Sequence, residues 1–410
     1  MTNLPIHIDL EGYNVEDNCL VIGGRKLTDI KAETSQEPLY IYDSKLIQKR
    51  IEALRSVLPD GVQLHYAIKA NPMPELVQFI AQHVDGLDVA SAGELKIALR
   101  TEIPREDISF AGPAKRDFEL REAIAAGITV NVESFNEFER LTAITQEAGT
   151  RAKIAIRVNP DFELKSSGMK MSGGPKPFGV DAEEVAKLLQ KINLENFSFQ
   201  GLHIFSGSQN LSAESIIEAQ RKTIDLALKL AEFAPSEPRF VNIGGGFGIP
   251  YFPGDKQLDV AEIGKALLVP LGNLKTRLPD TDVVIELGRY IVGEAGIYVC
   301  EIIDKKQSRG TTYLLTNGGL HHHLSASGNF GQVIRKNYPL VIGNRIWSEE
   351  METVNIVGPL CTPLDVLGDK MNLPMAEPGD LVVVFQSGAY GLSASPQEFL
   401  GHPKSAEIII

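Results

Sequence analysis

Apolar strand-like segments alternate with amphipathic helix-like segments from about residue 40 to about residue 270, and this alternation restricts the folds that the chain can adopt. A strand, a helix and a second strand in succession build a parallel sheet with helical crossovers. About eight such units favour a (β/α)8 TIM barrel, and an open, doubly wound sheet is the alternative. The sequence therefore predicts an α/β fold.

The predicted elements follow one another at short intervals. The strands span residues 64–68, 86–89, 108–111, 129–132, 155–158, 199–204 and 240–243. The helices span residues 43–57, 75–82, 92–100, 115–126, 134–148, 182–190 and 213–231.

The pattern changes after about residue 275, where β-rich segments with glycine and proline between them replace the alternation. These segments span residues 283–285, 297–305, 311–316, 353–357 and 381–385. The first 39 residues are also β-like, with a strand predicted at 19–22. The sequence thus predicts a mostly β C-terminal domain of residues 275–410, joined by residues 1–39, beside a barrel of residues 40–274.

Composition excludes several classes of function. The 410-residue chain has a net charge of −13, which argues against a nucleic-acid partner. No apolar run reaches the roughly 18 residues of a membrane span, and the first residues lack the features of a signal peptide. Three scattered cysteines are too few for a disulfide framework or a zinc site. We therefore expect a cytoplasmic protein without a membrane partner or a metal.

Lys69 follows a short apolar run that begins at Val62 and is predicted to be a buried strand. A lysine seldom ends a core strand, because burying an ammonium group is costly unless it is paired or neutralised. Its side chain either extends into solvent or forms a Schiff base with a carbonyl cofactor.

Four further polar residues lie within or directly after predicted strands: Asp88, Arg157, Asn159 and His203. The carboxyl ends of barrel strands meet at one rim, where catalytic groups collect. The recurrence of polar residues at these positions favours one shared site over independent structural roles.

A glycine cluster, Gly244-Gly245-Gly246, follows the strand predicted at 240–243. Consecutive glycines let backbone N–H groups surround an anion, so the cluster is either a phosphate cradle or a flexible turn. It is not a Walker loop, because no Gly-Lys-Ser/Thr follows it.

Three segments of the C-terminal part contain further candidate residues. Glu286 and Arg289, on either side of Gly288, form a simple ion pair or place a carboxylate against a pyridine nitrogen. Cys361, in a Gly/Pro-rich loop, is a packed thiol or a reactive one. Tyr390 lies between small residues, a position from which its hydroxyl group could reach a phosphate. The consecutive histidines at 321–323 diverge and predict no metal site.

Together these motifs resemble those of the fold-type III pyridoxal-phosphate-dependent decarboxylases, which include the ornithine, diaminopimelate and arginine decarboxylases. The resemblance extends from Pro38 to Tyr390. It implies an alanine-racemase-like barrel with a β domain, the cofactor pyridoxal 5′-phosphate, and a homodimer with shared active sites. It also implies a carboxy-lyase that acts through an external aldimine.

The resemblance also assigns roles to individual residues. Lys69 corresponds to the lysine that carries the cofactor, His203 to the histidine that stacks on its ring, and Glu286 to the carboxylate at its pyridine nitrogen. Cys361 corresponds to a catalytic cysteine that the partner subunit delivers. The other cofactor-binding positions implied are Asp88, Arg157, Ser206, Gly244, Gly245, Gly246, Gly288, Arg289 and Tyr390.

The chain departs from the family pattern at two places. The segment after His203 offers both Ser206 and Ser208 for the phosphate-contacting serine. The residue after the cysteine is Thr362, where the ornithine and diaminopimelate enzymes have an acid that binds a distal amino group. Without that anion, a free diamino acid loses its charge partner. The predicted substrate positions are Thr362, Asp365 and Arg289.

Residues 317–324 and 328–331 resemble a subgroup that decarboxylates an amino acid attached to an acyl carrier protein and that accompanies antibiotic or exosortase-associated biosynthesis. A small, glutamyl-type amino acid presented by a carrier protein is therefore the expected substrate, and a local basic patch such as Arg335-Lys336 would meet the acidic carrier. The alternative is a free diamino acid: diaminopimelate, ornithine, lysine or arginine. A racemase or a non-catalytic regulatory homologue is less favoured.

Overall fold

Eight parallel strands close into a barrel in one of the two compact units of the chain. The computed structural model describes residues 6–9, 12–34, 38–162, 169–170 and 173–410. The barrel unit comprises Arg50–Ile249 and Gln257–Tyr290. The β unit comprises the described residues of Met1–Lys49, Pro250–Lys256 and Ile291–Ile410.

The strands, numbered along the chain, are β1 (Asn14–Glu16), β2 (Cys19–Ile22), β3 (Arg25–Lys26), β4 (Leu39–Tyr42), β5 (Val62–Ala67), β6 (Gly86–Val89), β7 (Ile108–Phe110), β8 (Thr129–Val132), β9 (Ala152–Asn159), β10 (Met169–Lys170), β11 (Val180–Asp181), β12 (Phe197–Ile204), β13 (Gly207–Ser208), β14 (Phe240–Gly245), β15 (Asp282–Leu287), β16 (Gly296–Ser308), β17 (Thr311–Thr316), β18 (Leu340–Ile342), β19 (Met351–Val357), β20 (Val366–Pro374), β21 (Leu381–Val384) and β22 (Ala406–Ile409).

The helices are α1 (Leu27–Glu33), α2 (Ser44–Val57), α3 (Pro74–Ile80), α4 (Ala92–Ala98), α5 (Asp117–Ala126), α6 (Phe135–Ala148), α7 (Ala182–Leu189), α8 (Ala213–Ala231), α9 (Val260–Arg277) and α10 (Arg289–Val292). Helix α9 was not predicted from the sequence. Within the described residues, no helix is long and apolar enough to cross a membrane.

The barrel strands follow the order β5, β6, β7, β8, β9, β12, β14 and β15, and β15 pairs again with β5 to close the ring. Every one of these pairings is parallel. The predicted (β/α)8 barrel is therefore confirmed, and the open sheet is excluded.

One strand prediction was wrong in its placement. Residues 283–285, assigned from the sequence to the β domain, lie in β15, which is the eighth barrel strand. An apolar run buried on both faces looks the same in either setting, so the sequence pattern alone could not assign it. The domain boundaries that the sequence predicts after residues 39 and 274 stay a prediction.

Serine residues cap three of the described helices of the barrel unit: α4, α6 and α8. The side chains of Ser91, Ser134 and Ser212 accept hydrogen bonds from the backbone N–H groups three residues further along. Each cap satisfies a donor that the first helical turn leaves unpaired. In α4 and α6 the cap lies only two residues beyond the preceding strand, which keeps these loops at the carboxyl rim short.

The β unit combines the early strand β4 with strands from the C-terminal part of the chain. The main sheet has the order β18, β21, β16, β17, β19 and β20, and β4 pairs with both β16 and β22. Ile22, Ile41, Ile297 and Val383 are almost fully buried in one core cluster of this unit. The predicted mostly β C-terminal domain is confirmed.

Candidate active site

Lys69 lies at the carboxyl end of β5, but outside the strand. The strand ends at Ala67, and a 3-10 turn of Ile68–Ala70 contains the lysine, so the predicted strand end at residue 68 was one residue too late. The side chain is 44% exposed, and its Nζ lies 3.6 Å from Oε1 of Glu286 and 5.3 Å from the ring centre of Phe205. The amine therefore reaches the open end of the barrel beside a buried carboxylate.

Glu286 lies near the end of the neighbouring strand β15 and is buried. Burial alone would raise the pKa of its carboxyl group. The positive charge of Lys69, the hydrogen bond from His203 and the nearby charge of Arg157 outweigh burial and lower that pKa below its usual range. Glu286 is thus held as an ionised carboxylate inside the barrel.

His203, on β12, contacts the same carboxylate. Its Nε2 lies 3.1 Å from Oε2 of Glu286, and its side chain is 3% exposed. The other ring nitrogen, Nδ1, has no hydrogen-bond partner among the residues that the structure describes. Buried polar atoms normally have a partner, so this nitrogen marks a place where a bound group is expected.

Arg157 is held by a residue that the sequence analysis missed. Its Nη1 lies 2.9 Å from Oε1 of Glu133, and Glu133 also accepts the backbone N–H groups of Gly112 and Gly179. Burial would raise the pKa of Glu133, but Arg157 and Lys115 lower it overall. Glu133 directly follows β8, so the strand-end rule that selected the other candidates would have found it.

Asp88 lies among polar side chains in the barrel. Ser109 donates its Oγ–H to Oδ1 of Asp88 at 2.5 Å, and Asn131 donates to Ser109 at 3.0 Å. Nδ1 of His65 lies 3.5 Å from the other carboxylate oxygen of Asp88. These contacts fix Asp88 from neighbouring strands, and its role toward a cofactor stays a prediction.

The glycine cluster packs tightly on its neighbours. A Cβ atom at Gly245 would lie 2.1 Å from the carbonyl oxygen of Glu286, and one at Gly246 would lie 2.0 Å from that of Gly207. Gly244 and Gly246 also have positive φ angles of 69° and 73°. Close backbone approach therefore requires these glycines whether or not they bind a phosphate, so the predicted cradle stays a prediction.

Gly288 and Arg289 lie just beyond β15. A Cβ atom at Gly288 would lie 2.7 Å from the Cβ of Ala70, so this glycine packs against the turn that contains Lys69. Arg289 begins the short helix α10. Ser206 is buried after the end of β12, while Ser208 is half-buried in β13, and the choice between them stays open.

The remaining predicted residues belong to the β unit. Cys361 is exposed in a loop, and Thr362 beside it is half-buried. Asp365 is buried, and its two carboxylate oxygens accept backbone N–H groups. Tyr390 has a positive φ of 53°, and its carbonyl oxygen accepts the hydroxyl of Ser325 at 2.7 Å.

The barrel residues fit pyridoxal phosphate. The cofactor needs an amine for its aldehyde, an anion for its pyridine nitrogen and a platform for its ring. Lys69, the ionised Glu286 and the buried His203 with its unpartnered Nδ1 supply these groups within one rim of the barrel. Among the described residues, no cluster of histidine, cysteine or acidic side chains is arranged to bind a metal.

Known proteins with similar sequences and structures agree with this chemistry. The pyridoxal-binding domain of the pyridoxal-dependent decarboxylases matches residues 44–293. The L-glutamyl-[BtrI acyl-carrier protein] decarboxylase of Niallia circulans is 38% identical over 91% of this chain and 89% of its own length. The diaminopimelate decarboxylase of Aquifex aeolicus is 33% identical over 98% of this chain and 94% of its own length.

A solved structure extends the similarity to the whole fold. The diaminopimelate decarboxylase from M. jannaschii superimposes with a TM-score of 0.87 at 26% sequence identity, covering 98% of this chain and 93% of that one. The family match spans the barrel strands and the residues around Lys69 and Glu286. The chain belongs to the pyridoxal-dependent decarboxylases, and it is a carboxy-lyase that uses pyridoxal 5′-phosphate.

Proposed function

We propose that this enzyme removes the α-carboxyl group of a glutamyl-type amino acid that is attached to an acyl carrier protein. The observation that carries this proposal is Thr362, a neutral residue directly after Cys361. Enzymes for free diamino acids need an anion near this position, because an unpaired ammonium group is costly to desolvate.

Asp365 does not replace the missing anion in this proposal. It is the next acidic residue along the chain, but it is buried, and both of its oxygens already accept backbone N–H groups. Because the residue is only 2% exposed, its carboxylate is not accessible to a substrate ammonium group. The loop therefore contains no carboxylate that is accessible to the distal ammonium group of a substrate.

The similarity to the carrier-protein enzyme from Niallia circulans supports the same substrate class. Carrier proteins are acidic, whereas this chain has a net charge of −13, so docking needs a local basic area. Arg335 and the exposed Lys336 supply positive charge in the β unit. This pair is the part of the surface that we propose for the carrier.

A free diamino acid remains the second candidate, since the chain is also 33% identical to a diaminopimelate decarboxylase.

Racemisation is less favoured. A carboxylate at the pyridine nitrogen strengthens electron withdrawal, and the ionised Glu286 is the group that we propose for this position. A non-catalytic role is less favoured because Lys69, His203 and Glu286 are all present in one site.

The cofactor, when bound, delocalises the electron pair that remains on Cα after carbon dioxide leaves. In our proposal, the side-chain amine of Lys69 would hold the cofactor through its aldehyde group. The carboxylate of Glu286 keeps the pyridine nitrogen protonated, and His203 supports the ring while its Nε2 holds Glu286 in place. The other predicted groups secure the phosphate and the substrate: Asp88, Arg157, Ser206 or Ser208, Gly244, Gly245, Gly246, Gly288, Arg289 and Tyr390.

The proton that replaces the carboxyl group comes from the Cys361 thiol, or from a water that it positions. Family resemblance assigns this cysteine to the partner subunit's site, so the proposal includes a homodimer with shared active sites. It also includes a cytoplasmic location and a role in antibiotic or exosortase-associated biosynthesis.

Release of carbon dioxide from a panel of substrates tests the proposal. The panel contains free lysine, ornithine, diaminopimelate, arginine and glutamate, and a glutamyl-loaded acyl carrier protein. We expect turnover only with the loaded carrier. Activity confined to a free diamino acid would overturn the proposal of a carrier-bound substrate. A mixture of the unloaded carrier and free glutamate is the matched control.

A further inference from the structure

Asp365 joins two separate segments of the β unit through its buried carboxylate. Its Oδ1 accepts the backbone N–H of Leu320 at 2.6 Å, and its Oδ2 accepts that of Leu360 at 2.8 Å. The residue as a whole is 2% exposed. Hydrogen bonds from neutral donors to an ionised group are among the strong ones, so the two segments are firmly connected.

Two glycines leave the space that this carboxylate occupies. A Cβ atom at Gly319 would lie 2.2 Å from Oδ1 of Asp365, and one at Gly358 would lie 2.3 Å from Oδ2. Neither glycine has a positive φ angle, so the backbone conformation does not require glycine at these positions. A side chain is excluded there because its Cβ atom would collide with the Asp365 carboxylate. The surroundings of Asp365 are therefore shaped around its two oxygens.

The segment between Gly358 and Asp365 contains Cys361 and forms a compact turn. The backbone N–H of Gly358 donates to the carbonyl oxygen of Asp365 at 3.1 Å, and that of Thr362 donates to Leu360 at 2.7 Å. The Asp365 carboxylate fixes the start of this turn through Leu360. Cys361 is thus exposed on a loop whose two ends are tied to each other and to residue 320.

We propose that Asp365 is a positioning residue that presets the loop of Cys361 and Thr362, rather than a ligand of the substrate. It acts through Cys361, so the inference rests on the proposed role of that thiol. A misplacement of about 1 Å is enough to cost a catalytic group much of its effect, so loosening this loop should resemble removing the thiol.

The test compares Asp365→Asn, Cys361→Ala and the double variant, all loaded with cofactor. The amide keeps the size of the carboxylate but offers one acceptor oxygen, so one of the two backbone N–H groups loses its partner. We expect Asp365→Asn to lower kcat about tenfold and to divert product as Cys361→Ala does, with unchanged cofactor absorbance. In the double variant, the effects should not add, because both changes act through one group.

Asp380→Asn is the matched control. Asp380 is also buried in the β unit, and it accepts the backbone N–H of Glu377 at 2.9 Å and the side chain of Asn344 at 2.7 Å. We expect this variant to leave product partitioning unchanged. If Asp365→Asn behaves like Asp380→Asn while Cys361→Ala alters the products, the positioning role is wrong. If Cys361→Ala has no effect, the proposed role of the thiol fails instead.

A second measurement does not depend on activity. Hydrogen exchange of the cofactor-free protein should be faster across residues 358–365 in Asp365→Asn than in the parent, with no change around residues 377–380. Gly358→Ala tests the same contact if Asp365→Asn fails to fold, because its new Cβ would displace the carboxylate. Unchanged exchange of residues 358–365 in a folded variant would overturn the inference.

Discussion

Nε2 of His203 lies 3.1 Å from Oε2 of Glu286 inside the barrel, and both side chains are almost completely buried. The contact joins strands β12 and β15, which are not neighbours in the barrel. It fixes the orientation of the carboxylate without help from solvent. A preorganised anion of this kind stabilises a positive charge more strongly than an anion in water does.

Replacing Glu286 tests that anion. Glu286→Gln keeps the shape of the side chain and removes its charge, so we expect kcat to fall by about 10²–10³-fold. Steady-state assays measure the loss, and circular dichroism verifies the fold. Glu286→Asp, which keeps the charge, should retain more activity than Glu286→Gln. Equal activity of the two variants would contradict an electrostatic role.

Replacing Lys69 tests the cofactor attachment. Lys69→Ala removes the amine at the carboxyl end of β5, so we expect loss of turnover and of the Schiff-base absorbance. Absorption spectra of the protein mixed with pyridoxal phosphate measure the second effect. Lys96→Ala, on the exposed face of α4, is the control and should retain both properties. Turnover by Lys69→Ala would refute the assignment.

Replacing Cys361 tests the return of the proton. Cys361→Ala should slow product release or divert the product, with a smaller effect on cofactor affinity. Product analysis by mass spectrometry and a cofactor titration separate the two effects. Cys361→Ser keeps a hydrogen-bonding group and should lie between the alanine variant and the parent. Unchanged rate and partitioning in the alanine variant would count against this role.

Adding an acid after the cysteine tests the substrate assignment. Thr362→Glu supplies the anion that a distal ammonium group needs, so we expect kcat/KM for a free diamino acid to rise by about tenfold or more. The assay follows carbon dioxide release from diaminopimelate, lysine and ornithine. Thr362→Gln has the same size without the charge and should show no such gain. A gain with glutamine as large as that with glutamate would exclude the charge as its cause.

Acid should destabilise the β unit through His323. Burial lowers the pKa of this residue to about 3, from about 6.5 in an unfolded chain. Its Nε2 contacts Ser387 Oγ at 2.9 Å, and its Nδ1 accepts the N–H of Ala326 at 3.3 Å. Below pH 6.5 this histidine is protonated in the unfolded state but stays neutral in the folded state until the pH approaches 3. The free energy of unfolding therefore falls by about 1.4 kcal/mol per pH unit as the pH decreases from 6.5 toward 3.

Thermal melts of the cofactor-free protein between pH 7 and pH 4 measure this effect. His323→Gln removes the titrating group, so the fall of Tm with pH should be shallower than in the parent. His83→Gln replaces a half-buried histidine of the barrel unit and is the control. An equally steep fall of Tm in His323→Gln and the parent would contradict the prediction.

The sequence predicted the barrel well because the alternation of strands and helices is a local pattern. The strands at 86–89 and 129–132 and the helix at 213–231 have the predicted bounds. The assignment of β15 failed because an apolar strand carries no signal of the sheet it will join. Strand β15 belongs to the barrel because it pairs with β5, which lies more than 200 residues earlier in the chain.

The site was predictable where chemistry recurs at strand ends and was not predictable where it depends on tertiary contacts. Lys69 and Glu286 were identified from the sequence, and the structure places them 3.6 Å apart. Glu133 followed the same rule and was overlooked. Asp365 was predicted to bind substrate, but nothing in the sequence indicates that residue 320 donates a backbone hydrogen bond to it.

The position of β4 has a consequence for the nascent chain. Its four residues, Leu39–Tyr42, are all buried between β16 and β22, whereas the barrel strands lie between residues 62 and 287. A ribosome therefore completes every barrel strand before it makes either partner of β4. Until then this apolar strand has two unpaired edges, which is the condition under which chains associate with one another. We expect the period of synthesis between these segments to be when the protein depends most on chaperones.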